Sequence, residues 1–401
     1  MNTFIIKNAQ IVTPDEVIAH GAVRVENGVI TAILRNVDGN MEGIDAQGSF
    51  LLPGIIDIHT DALDLEIVPR PGADIPIAVA FREMERKMST CGFTTVYHSL
   101  HLGYEVAEHQ LRSRYSRREV FEGVHQAAAG PSLIHNKIHL RFEVTGVNAY
   151  EECLEFMNKG MIGLLSVMDH TPGQGQWDKA HFLKVMMRQG KSEERALSEY
   201  EMLTSRPKIE GKPLEELVRL ATELRIPVAS HDDDTVEKVN FMHALGVRIC
   251  EFPINMETAR HATALDMYVA GGASNVLRGG SLSGNLDVKT AIREGVLNTL
   301  CSDYYPPAIL HSIFKLHQEE NMPLPQAVNL ATLYPARAAG IQDTTGSIEA
   351  GKQADLLLIK MVEGLPMITH TIASGNIVFQ SALKGPVAQY ARQTVNDELC
   401  V

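Results

Sequence analysis

The stretch Leu51-Leu-Pro-Gly-Ile-Ile-Asp-Ile-His-Thr-Asp61 sets the interpretation of the whole chain. From Leu51 to Ile58 nearly every residue is apolar, which is typical of a strand that a parallel sheet buries on both faces. His59 and Asp61 are two residues apart, so on an extended strand their side chains point the same way. A histidine and a carboxylate at a strand's end can bind one divalent cation. Taken alone, the pair fits a surface turn after a core strand equally well.

Similar apolar segments recur along the chain and alternate with helix-like stretches. The predicted strands are Leu51–Ile58, Phe93–Ser99, Ile138–Val144, Gly163–Met168, Val228–Ser230, Ile249–Phe252, Asn275–Leu277 and Asn298–Ser302. Eight strands that alternate with helices predict an α/β fold, a (β/α)8 TIM-type barrel. In such a barrel the functional groups lie at the carboxyl ends of the strands.

Both ends of the chain predict a second, smaller unit. Asn27-Gly28 joins two alternating segments, which is a strong hairpin signal, and further strand-like segments follow Gly346. A polar, helix-like segment also interrupts the barrel pattern; it is either a helical insertion on the active-site face or a solvated helix without a chemical role. The predicted division is a small β-sandwich domain from residues 1–50 and 345–385, a barrel from 51–344 with the insertion at about 173–213, and a C-terminal tail from 386–401.

Composition narrows the classes of function. A formal net charge of −13 over 401 residues argues against nucleic-acid binding, although a local basic pocket could still bind an anionic small molecule. Five scattered cysteines without a CxxC motif, and an N-terminus unlike a signal peptide, predict a cytoplasmic protein. No apolar run is long enough to predict a membrane span. A homodimer is compatible with this chain length, but the sequence contains no interface motif.

Four later strands of the predicted barrel end in groups that bind metals, namely Glu143, His170, His231 and Asp303. With His59 and Asp61 they place three histidines and three carboxylates at equivalent positions of one barrel mouth. Six ligands exceed the need of one tetrahedral zinc with an open position. They predict two divalent cations, ~3.5–4 Å apart, bridged by a carboxylate and a water.

Two of these residues have predicted special roles. Glu143 is the predicted bridging ligand, because one glutamate can bind two metals. Asp303 is predicted to be both a ligand and the catalytic general base. Mixed histidine and carboxylate sites accept Zn, Mn, Fe or Ni, and we take zinc as the first expectation.

A phosphorylated substrate would require cationic and backbone donors. The segment Arg278-Gly279-Gly280-Ser281 offers a guanidinium and a glycine-rich run of N–H groups able to bind a phosphate. Arg70, between two prolines, is a second predicted substrate-binding residue. The alternative for both sites is a tight turn or loop with a solvent-facing arginine.

These motifs together resemble the amidohydrolase superfamily. The resemblance rests on Pro53-Gly-Ile-Ile-Asp-Ile-His59, on Ser302-Asp303 and on Gly346-Ser-Ile-Glu-Ala-Gly-Lys-Gln-Ala-Asp355. His59-Thr-Asp61 stands where the superfamily usually has His-x-His. Within the superfamily the chain is most similar to a branch that acts in phosphonate utilisation through the carbon–phosphorus lyase pathway. The motifs shared with that branch are His59-Thr-Asp-Ala-Leu-Asp64, His139-Leu-Arg-Phe-Glu143, Ser166-Val-Met-Asp-His170, Ala229-Ser-His-Asp-Asp233, Glu251-Phe-Pro253 and Asn275-Val-Leu-Arg-Gly-Gly-Ser281.

The resemblance implies hydrolysis of α-D-ribose 1-methylphosphonate 5-triphosphate to the 5-phosphate and diphosphate. One departure is His98, where the branch has an aspartate; His98 either contacts the substrate or a residue that does, or it is a core or surface histidine. The alternative activity is hydrolysis of a C–N bond in a cyclic amide or N-acyl compound. A catalytically inactive binding protein on the same barrel is the third hypothesis.

Overall fold

The computed structural model describes residues 3–35, 42–103, 114–175, 179–281 and 284–382. Its strands form two separate sheets. They are β1 (Thr3–Val12), β2 (Val17–Glu26), β3 (Val29–Arg35), β4 (Ile44–Asp45), β5 (Phe50–Pro53), β6 (Ile55–Thr60), β7 (Phe93–Leu102), β8 (His135–Glu143), β9 (Leu164–Met168), β10 (Val228–His231), β11 (Ile249–Glu251), β12 (Tyr268–Gly272), β13 (Thr299–Cys301), β14 (Leu356–Val362), β15 (Leu365–Ala373) and β16 (Asn376–Gln380).

The eight strands from β6 to β13 form a parallel barrel in which each strand pairs with the next along the chain. The first and last strands meet at their carboxyl ends. There the amide of Asp61 donates to the carbonyl of Asp303 at 2.9 Å, and the amide of Asp303 donates to the carbonyl of His59 at 3.1 Å. The predicted (β/α)8 architecture is therefore confirmed, and these bonds place three predicted site residues side by side.

The seventh barrel strand differs from its prediction. Asn275–Leu277, predicted as a strand, lies in a helix, and the strand is Tyr268–Gly272 instead. Two glycines at the end of this strand weaken its sequence signal. A Cβ on Gly271 would nevertheless lie 2.6 Å from the end of the Leu297 side chain and 3.1 Å from Val288. The strand is therefore tightly packed at this glycine.

The opening stretch is two strands rather than the single predicted one. Phe50–Pro53 pairs with the strands of the second sheet, and Ile55–Thr60 begins the barrel. Pro53 and Gly54 separate the two. A Cβ on Gly54 would lie between 2.1 and 2.7 Å from side-chain atoms of Thr94 on the neighbouring barrel strand. This glycine allows the chain to pass directly from one sheet to the other.

Replacing Gly54 with Ala is expected to lower the stability of the folded chain by about 1–3 kcal/mol, since the added methyl group overpacks a buried contact. A urea unfolding curve measures the change. Gly130→Ala is the matched control, because its added Cβ would meet no atom closer than 3.5 Å. Equal unfolding midpoints for the two variants would contradict the tight approach at Gly54.

The second sheet combines both ends of the chain, as the sequence predicted. Its strand order is β16-β15-β14-β5-β1-β2-β3, and β4 pairs with β1. One face carries an apolar cluster with contributions from both ends, including Ile6, Val23, Leu51, Leu356 and Ile372. This confirms a small β-domain built from the two termini, while the predicted tail 386–401 lies outside the described residues.

Helices follow or separate the barrel strands along the chain. In the described ranges they are α1 (Ala62–Ile67), α2 (Ile77–Thr90), α3 (Arg117–Ala128), α4 (Tyr150–Asn158), α5 (Lys179–Arg188), α6 (Glu193–Thr204), α7 (Lys212–Glu223), α8 (Val236–Leu245), α9 (Met256–Ala264), α10 (Ala273–Arg278), α11 (Val288–Arg293), α12 (Ala308–Glu319), α13 (Leu324–Asn329) and α14 (Leu333–Ala338). Helices α5 and α6 lie in the predicted insertion. Across the part of the chain that the structure describes, every helix is too short or too polar to cross a lipid bilayer.

Side chains at alternate strand positions build the barrel interior in layers. A small apolar cluster contains Tyr97, Leu164, Ala229 and Ile249. Two residues further along the same strands stand Ser99, Ser166, His231 and Glu251. The interior thus changes from apolar to polar toward the carboxyl ends, which is where the predicted ligands lie.

Candidate active site and metal centre

A cavity of about 300 Å³ opens at the carboxyl ends of the barrel strands. We call it the cup. Its lining includes one set of charged and imidazole groups and a second set of neutral polar groups. The first set is His59, Asp61, Arg141, His170, His231, Asp232 and Asp303, and the second is Ser274, Asn275, Ser281, Asn285 and Tyr304.

The first set contains two groups of possible metal ligands that share no residue. The ligand atoms within each group lie within 4.8 Å of one another. The groups are His59 with Asp61 and Asp303, and His170 with His231 and Asp232. Imidazole nitrogens and carboxylate oxygens suit Zn, Fe, Mn or Ni. The residues therefore fit the pair of divalent cations that the sequence predicted, one beside each group.

The backbone at three strand ends adopts an unusual conformation. Asp232, Phe252 and Asp303 have φ values of 52°, 52° and 57°, in the left-handed region that residues other than glycine seldom occupy. All three line the cup. Such strained residues cluster at functional sites, where the surrounding structure holds them.

Burial and neighbouring charges set the protonation of the ligand groups. Burial holds the pKa of His59 well below its usual range, and Arg141 acts in the same direction, so the ring is neutral and keeps a lone pair for a cation. Burial, reinforced by Asp61, raises the pKa of Asp303 to about 6. Burial opposes ionisation of Asp232, but the neighbouring His231, His170 and Lys238 outweigh it and lower the pKa of Asp232 to about 2.

Glu143 lies next to His170 and is fully buried. Its carboxylate accepts a hydrogen bond from the His170 amide at 3.0 Å, and its second oxygen lies 2.6 Å from Nδ1 of the His170 ring. This contact fixes the ring of His170 with Nε2 on the opposite side. In this structure Glu143 contacts one predicted ligand directly, and its predicted role as a metal bridge stays a prediction.

Arg141 enters the cup two residues before Glu143 and is only 5 % exposed. Its Nη1 donates to Oδ1 of Asp61 at 2.9 Å, and its Nη2 lies 3.3 Å from Nε2 of His231. Sequence reasoning missed this residue. A signal was available, because Arg141 and Glu143 are two apart on one strand and must point the same way.

Asp232 and Glu251 were missed as well. Asp232 directly follows His231, so strand alternation would have directed it away from the cup, and only its left-handed backbone brings it in. Glu251 lies at the end of a very short strand and is completely buried. Its position two residues after Ile249 is the pattern that could have identified it.

The other predicted substrate-binding residues lie at different places. Ser281 lines the cup. Arg278 and Gly279 are exposed at the end of helix α10, Gly280 is half-buried just beyond it, and Arg70 is exposed on its loop. These last four residues are not among the described residues that line the cup. The helix replaces the predicted strand here, and that change directs the Arg278 side chain outward.

His98 is a core residue. Its Nε2 lies 2.8 Å from Oδ1 of Asn136, whose amide nitrogen donates to the buried carboxylate of Glu85 at 2.8 Å. The ring also packs against Phe81 on helix α2. His98 therefore faces the helix layer and is not among the groups that line the cup.

Comparisons with known proteins agree with this architecture. The amidohydrolase family model matches residues 50–378. The α-D-ribose 1-methylphosphonate 5-triphosphate diphosphatase of Escherichia coli (strain K12) is 33% identical over 393 residues, which covers 94% of this chain and 100% of that protein. The imidazolonepropionase of Thermoplasma acidophilum is 30% identical over only 105 residues, 23% of this chain and 26% of that protein.

Solved structures share the fold at low identity. The crystal structure of an amidohydrolase has a TM-score of 0.63 and 18% identity, and it covers 96% of this chain and 100% of its own. The N-acetylglucosamine-6-phosphate deacetylase of Pasteurella multocida has a TM-score of 0.60 and 15% identity, covering 94% of this chain and 99% of its own. Because the family model matches residues 50–378, well over half of the chain, the chain belongs to the amidohydrolase family.

Proposed function

We propose that this chain is a metal-dependent hydrolase that cleaves α-D-ribose 1-methylphosphonate 5-triphosphate to the 5-phosphate and diphosphate. Identity of 33% over the full length of the Escherichia coli relative that carries this activity in its name supports the proposal. The cup adds independent support, because it combines possible metal ligands with a buried cation.

The observation that carries the proposal is the position of Arg141. Its guanidinium lies inside the cup and within hydrogen-bond distance of Asp61, a member of one ligand group. A buried guanidinium binds phosphoryl oxygens through paired, charge-assisted hydrogen bonds. Hydrolysis of a neutral cyclic amide requires no such group, so this residue favours the phosphoanhydride substrate over the C–N alternative.

Two ligand groups would hold the cations. His59, Asp61 and Asp303 would hold one, and His170, His231 and Asp232 the other. A divalent cation supplies Lewis acidity toward a phosphoryl oxygen and lowers the pKa of water. Zinc is our first expectation for both, with Mn, Fe and Ni as alternatives. Glu143 orients His170, and a bridging role for it would require its carboxylate to turn partly away from that ring.

Residues of the chain itself accept the proton and bind and orient the substrate. Asp303 accepts a proton from the attacking water. Arg141 binds and orients the phosphoryl group so that diphosphate leaves opposite the entering oxygen. Neutral polar groups that line the cup, among them Ser281 and Asn285, hydrogen-bond the ribose.

Chelator treatment of the purified protein is expected to reduce diphosphate release from the ribose triphosphate by at least about 100-fold, since a cation supplies several kcal/mol of transition-state stabilisation. Diphosphate release is measured by a coupled assay before treatment, after it, and after addition of Zn, Mn, Fe or Ni. A parallel assay follows ring opening of cyclic amides and imides by the same samples.

Two outcomes would contradict the proposal. Diphosphate release that persists after complete metal removal would exclude a role for the cations. Metal-dependent opening of a cyclic amide, without diphosphate release from any ribose or nucleoside triphosphate, would assign the cup to C–N substrates.

A further inference from the structure

A buried polar layer lies directly beneath the cup. His139 and Ser166 lie on the adjacent strands β8 and β9, Glu251 lies on β11 beyond the intervening β10, and each is 0 % exposed. The proposed reaction assigns none of them a role. Buried polar groups of this kind are costly unless they hydrogen-bond to one another, so their arrangement requires an explanation.

Glu251 contacts a predicted metal ligand. Its Oε1 lies 3.3 Å from Nδ1 of His59, and the two side chains are almost completely buried. A carboxylate at Nδ1 favours the tautomer that has its proton on that nitrogen. The lone pair then lies on Nε2, which is 3.9 Å from Oδ1 of Asp61 in the same ligand group.

Glu251 is itself held from the other side. The Ser166 hydroxyl donates to Oε2 of Glu251 at 2.5 Å, and Nε2 of His139 lies 2.6 Å from that hydroxyl oxygen. Nδ1 of His139 lies 2.9 Å from the carbonyl oxygen of Ile58. Ile58 is the residue before His59, so this chain of contacts starts at the His59 ring and returns to the His59 backbone.

We infer that Glu251 is the positioning residue for His59, and that Ser166 and His139 hold Glu251 in place. The closed circuit fixes the ring through its side chain and through its strand at once. Carboxylates that contact the second nitrogen of a ligating histidine set its tautomer and orientation in this way. The inference rests on the proposed metal-dependent function, because it assigns the circuit to the binding of a cation.

Direct binding of a cation by Glu251 is a second arrangement, and it must be distinguished from the positioning role. The ligand atoms of His59, His231 and Glu251 also lie within 4.8 Å of one another, so Glu251 would be close enough to bind a cation directly. Both of its oxygens already have partners, on His59 and Ser166. Because both oxygens are already hydrogen-bonded, the structure favours a role for Glu251 in positioning His59 over direct binding of a cation.

The experiment compares Glu251→Ala, Glu251→Gln and Ser166→Ala with the wild-type chain. Zinc content per chain and the zinc dissociation constant, measured by competition with a chelator, are the principal readouts. Ser312→Ala is the matched control, because Ser312 is equally buried but its hydroxyl donates to the carbonyl of Ala273 outside the circuit. Thermal melting shows whether each variant is folded.

We expect Glu251→Ala to weaken zinc binding by about 10- to 100-fold, the usual effect of removing a partner of a ligating histidine. Glu251→Gln should restore most of the affinity, because its amide oxygen still accepts from Nδ1 of His59 while its amide group donates to Ser166. Ser166→Ala should give an intermediate loss, and Ser312→Ala should match the wild type.

Three results would overturn the inference and leave the proposed function standing. Wild-type zinc affinity in Glu251→Ala would show that His59 needs no positioning. A loss in Glu251→Gln as large as that in Glu251→Ala would make Glu251 a ligand. If Glu251→Ala does not fold, equal zinc affinity in Ser166→Ala and Ser312→Ala overturns it. A wild-type chain that binds no metal would instead overturn the proposed function and, with it, this inference.

Discussion

Replacing Asp303 with Asn is expected to lower the rate of diphosphate release by about 100- to 10,000-fold, the range that a general base contributes. The substitution removes the carboxylate charge from one ligand group and the proton acceptor from the cup. Asparagine tolerates the left-handed backbone that Asp303 adopts, so the fold should be retained. Initial rates at saturating substrate, with metal content measured on the same samples, test this.

Asp266→Asn is a close control for that variant. Asp266 has the same φ of 57° but is exposed in the turn before strand β12, outside the groups that line the cup. Its substitution should leave both activity and metal content unchanged. Near-wild-type diphosphate release by Asp303→Asn would remove Asp303 from the proposed mechanism, whereas loss in both variants would indicate a general effect on folding.

The second large effect is expected at Arg141. Replacing Arg141 with Met should reduce kcat/KM for the ribose triphosphate by about 100-fold or more, as expected when a preorganised charged donor to the reacting group is lost. Arg141→Lys keeps the charge but loses the paired hydrogen bonds, so it should recover only part of the loss. Steady-state kinetics and metal content on each variant separate substrate binding from metal binding.

Arg278→Met is the control that distinguishes the sequence-based prediction from the structure. Arg278 is exposed at the end of helix α10, and a surface substitution of this kind should change kcat/KM by no more than about two-fold. A large loss in Arg278→Met, with little change in Arg141→Met, would return the phosphate-binding role to the glycine-rich segment. Equal small effects in both would favour an uncharged substrate.

The shared location of most predicted ligands was predictable because parallel barrel topology makes strand ends equivalent. His59, Asp61, His170, His231 and Asp303 each follow an apolar segment, and all five line one cavity. No distance between them is encoded locally; the regular order of the strands brings them together. The metals themselves, their number and the bridging role of Glu143 stay predictions.

Strand assignment failed where tertiary packing overrides local preference. The Gly-Gly end of Tyr268–Gly272 resembles a loop in the sequence, and Asn275–Leu277 resembles a strand. Close packing against Leu297 favours a residue without a side chain at Gly271, and the chain then turns directly into helix α10. The exposed position of Arg278 follows from that helix.

By itself, the sequence determined the barrel, the small domain from both termini and five groups at the barrel mouth, because apolar periodicity and strand order are properties of the chain. The tertiary structure alone decided the directions of particular side chains. It brought Asp232 into the cup through a left-handed backbone, turned His98 toward the helix layer and placed Glu251 against His59. These outcomes depend on strand register and on the last residue of each strand, and one slipped residue would reverse them.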